Sequence, residues 1–198
     1  MTDLILASGS ETRAKMLANA GVDFTIKRPM VDEDAIKADL LKSGGSPRMV
    51  ADALAEAKAR TMSYVHSDAF VLGADQLLVK DGRVFSKVSN MVDAEETLSA
   101  LSGGEHQLFS AIVVCQDGKA IWRHIDVVKL TVRPLSEGFI RRYLENVGEN
   151  AFWSVGYYQF EGLGAQLFTK VEGDYFSILG LPLLPFLDFL RRHSLMPL

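Results

Sequence analysis

The residue that costs most where it stands is Asp75. It lies in Phe70–Val79, a strongly apolar run interrupted by Gly73-Ala74-Asp75-Gln76. A carboxylate in such surroundings is strongly penalised unless a cation or a metal compensates it. Asp75 is therefore a base or metal ligand, or else a turn aspartate beside a glycine that breaks the strand. Gln76 carries both a donor and an acceptor, which suits it to a nucleobase edge, though a solvent-facing strand residue looks the same.

A second chemical feature is Ser8-Gly9-Ser10. It follows the apolar run Leu4–Ala7 and precedes a helical pattern from Glu11 to Ala20, with Met16, Leu17 and Ala20 on one face and Gly21 at the C-cap. Free backbone N–H groups at such a helix start, with the dipole behind them, favour an anion. Ser8 and Ser10 add hydroxyl donors, and Arg13 adds a bidentate phosphate contact. The alternative is that Ser10 merely caps the helix. The spacing is not that of a Walker loop, because the glycine-lysine pair is missing.

Other residues are less specific. Val31-Asp32-Glu33-Asp34 would suit Mg²⁺, a hard cation that takes oxygen ligands, or would simply be an acid-rich helix start. Lys58, on an Ala-rich helix, and Lys87, in Phe85-Ser86-Lys87, would each neutralise phosphate or remain solvated. Glu161 falls in a turn, Phe160-Glu161-Gly162-Leu163-Gly164. His66, His106, His124 and His193 have no metal-ligand spacing and read as structural or surface groups. Trp122, Trp153, Tyr157 and Tyr158 would stack a base or pack a core.

The elements that position these groups alternate between strands and helices. Phe24–Lys27 reads as a strand. Ser46-Pro47 opens a helix that runs to about His66. Asp81-Gly82 and Asp117-Gly118 are hairpin turns. Met91–Leu101 is helical, and Ser136 caps a helix to about Asn146. Gly156–Phe160 and Gln166–Val171 read as strands, and a last helix runs from near Pro182 to about His193. This is a mixed α/β chain with long hairpins.

The 198 residues are 48% hydrophobic and 23% charged, an ordinary globular balance that suits one domain or two closely packed lobes. A net charge of -4 without single-sign runs disfavours binding to a nucleic-acid polymer or an anionic membrane. The lone Cys115 sits in an apolar run and reads as core filler rather than a reactive thiol. Met1-Thr2-Asp3 does not open a signal peptide, and Tyr175–Leu187 is too short to span a bilayer and holds Pro182 and Pro185. A soluble cytoplasmic protein is expected.

Taken together, the chain resembles the Maf family. The family's opening motif, L-A-S-x-S-P-x-R, aligns with Leu6-Ala7-Ser8-Gly9-Ser10-Glu11-Thr12-Arg13. Val31-Asp32-Glu33, Leu54-Ala55-Glu56-Ala57-Lys58-Ala59, Gly73-Ala74-Asp75-Gln76, Leu101-Ser102-Gly103-Gly104-Glu105-His106 and Gly180-Leu181-Pro182-Leu183 match further family motifs in order. Departures are Glu11 and Val88 where the family has proline, and a single clear arginine, Arg13, where it commonly has two.

The resemblance implies an α/β fold like that of inosine-triphosphate pyrophosphatases: an elongated central mixed sheet flanked by helices, with two lobes around a cleft, formed by residues 1–198 as a single domain. It implies hydrolysis of a nucleoside triphosphate to monophosphate and pyrophosphate, with Mg²⁺ or Mn²⁺ held by Glu33 and Asp75. Asp75 would be the base. Lys58, Lys87 and Arg13 would neutralise charge, and Ser8 and Ser10 would hold phosphate. Gln76 and Glu161 would read the base, and Thr12 occupies another position linked to substrate choice. Gln76 with Glu161 resembles the branch acting on 7-methyl-GTP. The alternatives are the dTTP/UTP branch and a nucleotide-binding regulator of cell division with little catalysis. The resemblance is compatible with a homodimer.

Overall fold

Leu4–Ala7 (β1) forms a parallel pair on both sides, with Thr25–Ile26 (β2) and with Phe70–Lys80 (β3). This is a computed structural model, which describes residues 3–87 and 90–196 and only the backbone of residues 151 and 153. Met1, Thr2 and Val88 lie outside the described residues, as does the Trp153 side chain.

From β3 onward the pairing is antiparallel. β3 pairs with Arg83–Phe85 (β4) and Glu105–Gln116 (β5), then β5 with Lys119–Val132 (β6) and β6 with Phe168–Glu172 (β7). The result is a mixed seven-stranded sheet in the order β2-β1-β3-β5-β6-β7, with β4 attached to β3. The hairpin turns at Asp81-Gly82 and Asp117-Gly118 hold all four residues at positive φ, the conformation that asparagine, aspartate and glycine tolerate best.

The helices cover both faces. On one face, Glu11–Asn19 (α1) and Leu183–Arg192 (α7) pack Leu17, Phe186 and Leu190 against Leu6, Leu72, Ile112 and Val114. On the other, Glu33–Lys42 (α2) and Pro47–Val65 (α3) lie over Ile5, Val71 and Val113. At the far end, Met91–Leu101 (α4) and Glu137–Val147 (α5) build a further core with Leu78, Leu108 and Leu130. A short turn of helix, Tyr175–Ile178 (α6), follows β7. Among the described residues, no helix is long and apolar enough to cross a membrane. Cys115 is fully buried, and burial pushes its thiol up to about 11, as suits core filler.

Two expectations are corrected. β3 is unbroken across Gly73, so that glycine marks no strand irregularity. A Cβ there would stand 2.1 Å from the Ala55 carbonyl oxygen and 2.7 Å from the Ala59 nitrogen; the hydrogen is what lets α3 lie directly on the strand. Gly156–Phe160 is a series of turns, not a strand. Tyr157 and Tyr158 are apolar and buried there, but Tyr157 takes a positive φ that no strand accommodates.

Candidate active site

β1 leaves the sheet after Ala7, which pairs with Gly73, and β4 joins β3 only at Leu78. Along that side, residues 74–77 have no strand neighbour among the described residues, while β5 covers their other side. A cleft of about 940 Å³ opens over this bare stretch, at the carboxyl ends of the parallel strands where open α/β sheets bind ligands. The residues to which the family resemblance assigns substrate, metal or catalytic roles all line it: Ser8, Ser10, Thr12 and Arg13 from the first turn, Glu33 from α2, Lys58 from α3, Asp75 and Gln76 from β3, with Lys87 and Glu161. Of the aromatic candidates Tyr158 lines it, whereas Trp122 and Tyr157 pack in the core.

Strand alternation turns Asp75 toward α3. There the Lys58 ammonium lies 2.7 Å from Asp75 Oδ1 and 2.8 Å from Glu33 Oε2, bridging two carboxylates. Lys58 and Asp75 are both buried. Burial pushes the Asp75 carboxyl above its ordinary range; Lys58 and then Arg13 pull it back, and Glu33 adds to the upward push. Asp75 Oδ2 is buried with no hydrogen-bond partner among the described residues. Such an atom is costly to leave unmatched and marks a place for a ligand.

The first turn is more structural than its motif suggests. Ser10 accepts a hydrogen bond from the Arg13 amide at 3.4 Å, which makes it the N-cap of α1. Ser8 Oγ accepts from the Ser10 amide at 3.2 Å and from Arg13 Nη1 at 3.3 Å. Arg13 also donates to the Gly180 carbonyl at 2.8 Å and to the Ala74 carbonyl at 3.0 Å, on the open stretch of β3. Its guanidinium ties three segments together through Nε and Nη1. Asp32 likewise caps α2 through the Ala35 amide at 3.0 Å, so the acidic cluster is both a helix start and, through Glu33, part of the site.

Gln76 turns to the opposite face. Its Nε2 lies 2.9 Å from Ser110 Oγ and 3.0 Å from the carbonyl oxygens of both Ser177 and Ile178. Glu161 is exposed on the rim, and Thr12 is half-buried. His106 is buried against the hydroxyl of the cleft-lining Tyr158 at 2.7 Å and does not itself line the cleft, as suits a structural histidine.

The family model for Maf-like protein matches residues 3–193. The chain belongs to the Maf family. Among its Maf relatives, the 7-methyl-GTP pyrophosphatase of Rhizobium meliloti is 51% identical over 189 residues, 96% of this chain and 95% of that protein. The nucleoside triphosphate pyrophosphatase of Caulobacter vibrioides is 50% identical over 194 residues, 98% and 97% of the two chains. The 7-methyl-GTP pyrophosphatase of Mesorhizobium japonicum is 53% identical over 188 residues, 95% and 94%.

The Maf site also holds cations that the sequence reading passed over. Arg28 follows the carboxyl end of parallel β2, and its Nε approaches the Cβ position of Gly9 at 3.5 Å. Lys37 stands one helical turn after Glu33 and donates to Ser86 Oγ at 2.7 Å, beside Lys87. The i to i+4 spacing from Glu33 is a signal that would have found Lys37. Arg28 has no such local mark, because only the parallel pairing of β2 brings it to the cleft.

Proposed function

We propose that this chain hydrolyses a nucleoside triphosphate to the monophosphate and pyrophosphate, with a purine of the 7-methyl-GTP kind as its preferred base. The observation that carries this reading is the buried Asp75 carboxylate, held through one oxygen by Lys58 and without a hydrogen-bond partner at the other among the described residues, on a residue that lines a cleft rimmed with cations. The printed names of the relatives support the same reading. In it, the whole chain is one domain of two lobes around the cleft, acting in the cytoplasm on a free nucleotide rather than a polymer.

The proposed reaction is in-line attack. Asp75 Oδ2 takes a proton from a water molecule, whose oxygen bonds to the α-phosphorus as the bond to the bridging oxygen of the β-phosphate breaks. Lys58 holds Asp75 Oδ1, so the free oxygen keeps its direction. Pyrophosphate leaves toward Arg13, Lys87 and the start of α1, where positive charge and backbone N–H groups meet its negative charge.

A divalent cation fits this donor set. Asp75 Oδ2 has no hydrogen-bond partner among the described residues, the Glu33 carboxylate lines the same cleft, and hard cations take such oxygens together with substrate phosphates. The ion, Mg²⁺ or Mn²⁺, would supply charge neutralisation on the triphosphate. No cluster of three or more acidic, histidine or cysteine ligands exists among the described residues, which suits an ion that substrate completes.

The test is pyrophosphate release from 7-methyl-GTP, GTP, dTTP, UTP, CTP and ATP, with Mg²⁺ and with chelator. Metal-dependent release, fastest from 7-methyl-GTP, is expected. Fastest release from dTTP or UTP would overturn the base preference. Nucleotide binding without release would replace the enzyme by a regulator.

A further inference from the structure

The bonds around Gln76 fix which way its amide faces. Its nitrogen is surrounded by three acceptors: the Ser177 and Ile178 carbonyl oxygens, each at 3.0 Å, and Ser110 Oγ at 2.9 Å. Carbonyl oxygens only accept, so the atom facing them is the NH₂ group and not the oxygen. Ser110 could in principle donate to Gln76, but its one hydroxyl proton goes to the Ser177 carbonyl at 2.7 Å. Ser110 therefore accepts from Gln76, and the flipped amide would set its oxygen against two carbonyl oxygens. Ser110 is the cross-strand neighbour of Gln76 on β5 and is fully buried, so its hydroxyl has no solvent alternative.

The carbonyl side of the lock is itself braced. The Ser177 amide donates to Asp174 Oδ1 at 2.9 Å, and the Ser177 hydroxyl donates to Asp126 Oδ2 at 2.7 Å, with Asp174 Oδ1 at 3.2 Å. What remains of the Gln76 amide is Oε1, to which no described residue donates, on a side chain that lines the cleft.

The geometry points to Ser110 as a positioning residue for substrate choice: it accepts from Gln76 and holds the Ser177 carbonyl with its own proton, so it helps the two carbonyls keep the Gln76 amide in the orientation whose oxygen remains a hydrogen-bond acceptor. This rests on the reading that Gln76 faces the base. An acceptor there selects a base edge that carries N–H donors. Guanine offers two adjacent donors, N1–H and an exocyclic NH₂, whereas adenine offers one, its exocyclic NH₂, beside an acceptor at N1. A methyl cation on the guanine imidazole ring acidifies N1–H and strengthens the same bond. The carboxylate of Glu161, on the same cleft, prefers the same edge.

The experiment compares kcat and KM for GTP and ATP in the wild type, Ser110→Ala, Ser110→Thr and Gln76→Ala. It also follows hydrogen exchange of the Gln76 side-chain NH₂ by NMR, with the signal assigned from its loss in Gln76→Ala. The wild type should show slow exchange, since both protons are buried in bonds. Ser110→Ala should speed exchange and erode the GTP-over-ATP ratio of KM values roughly 3- to 10-fold, the loss expected of one neutral hydrogen bond. Ser110→Thr keeps the hydroxyl and should keep both properties. Fast exchange in the wild type, or an unchanged KM ratio in Ser110→Ala, overturns the role of Ser110. If Gln76→Ala itself leaves the ratio unchanged, the underlying base reading falls, and the role of Ser110 with it.

Discussion

Asp75 and Gln76 are neighbours in the chain and project from opposite faces of β3. One meets Lys58 of α3, the other meets Ser110 and the carbonyls of α6. The period of two along a strand divides the motif into a chemical half and a recognition half. The two halves are therefore expected to fail separately.

Asp75→Asn removes the proton acceptor and keeps the shape. We expect kcat to drop by about 10²- to 10⁴-fold, the usual contribution of a general base, while the GTP-to-ATP ratio of nucleotide binding constants stays as in the wild type. Steady-state kinetics with calorimetric binding checks this. Retained turnover would remove Asp75 from the base role.

Lys58→Ala leaves the Asp75 and Glu33 carboxylates without the ammonium between them. Removing one partner of a buried pair costs on the order of 3 kcal/mol. Urea unfolding should show that loss, and Asp75→Asn added to Lys58→Ala should recover much of it. Additive losses in the double variant would mean that the pair is not coupled.

His106 makes stability depend on pH. Burial, with a smaller push from Lys80, lowers its pKa to about 4, against 6.5 in the unfolded chain. As pH falls below 6.5 the unfolded chain takes up the proton first, so stability is lost between about 6.5 and 4. The slope is at most about 1.4 kcal/mol per pH unit. His106→Phe should flatten that part of the profile in denaturant titrations; an identical slope would assign the acid sensitivity to other groups.

Gly73→Ala places a methyl carbon on the backbone of α3, at 2.1 Å from the Ala55 oxygen. The helix must move, at a cost of about 1–3 kcal/mol or more. A drop in Tm is expected together with a loss of kcat, since Lys58 rides on the displaced helix. An active variant with normal Tm would show that the contact relaxes freely.

Much of this was legible from residue types. Caps at Ser10 and Ser46, the two Asp-Gly turns and the helix ends follow from local chemistry. Asp75 betrayed itself by charge in an apolar run. What escaped depends on distant partners. Gly73 looked like a broken strand because the sequence does not say which helix presses on it. Tyr157 and Tyr158 looked like a strand because buried aromatic residues read alike in turns and sheets. Ser110 sits between apolar neighbours in the middle of β5, and nothing local announces that Gln76 and Ser177 converge on it.

Gly73 carries one more consequence. Where α3 meets β3, main chain touches main chain, and the separation of Lys58 from Asp75 follows from atomic radii that are the same in every protein. Substitutions can accumulate over the rest of that interface without resetting it. The dimension least free to drift over generations is thus gauged at a position with no side chain to vary.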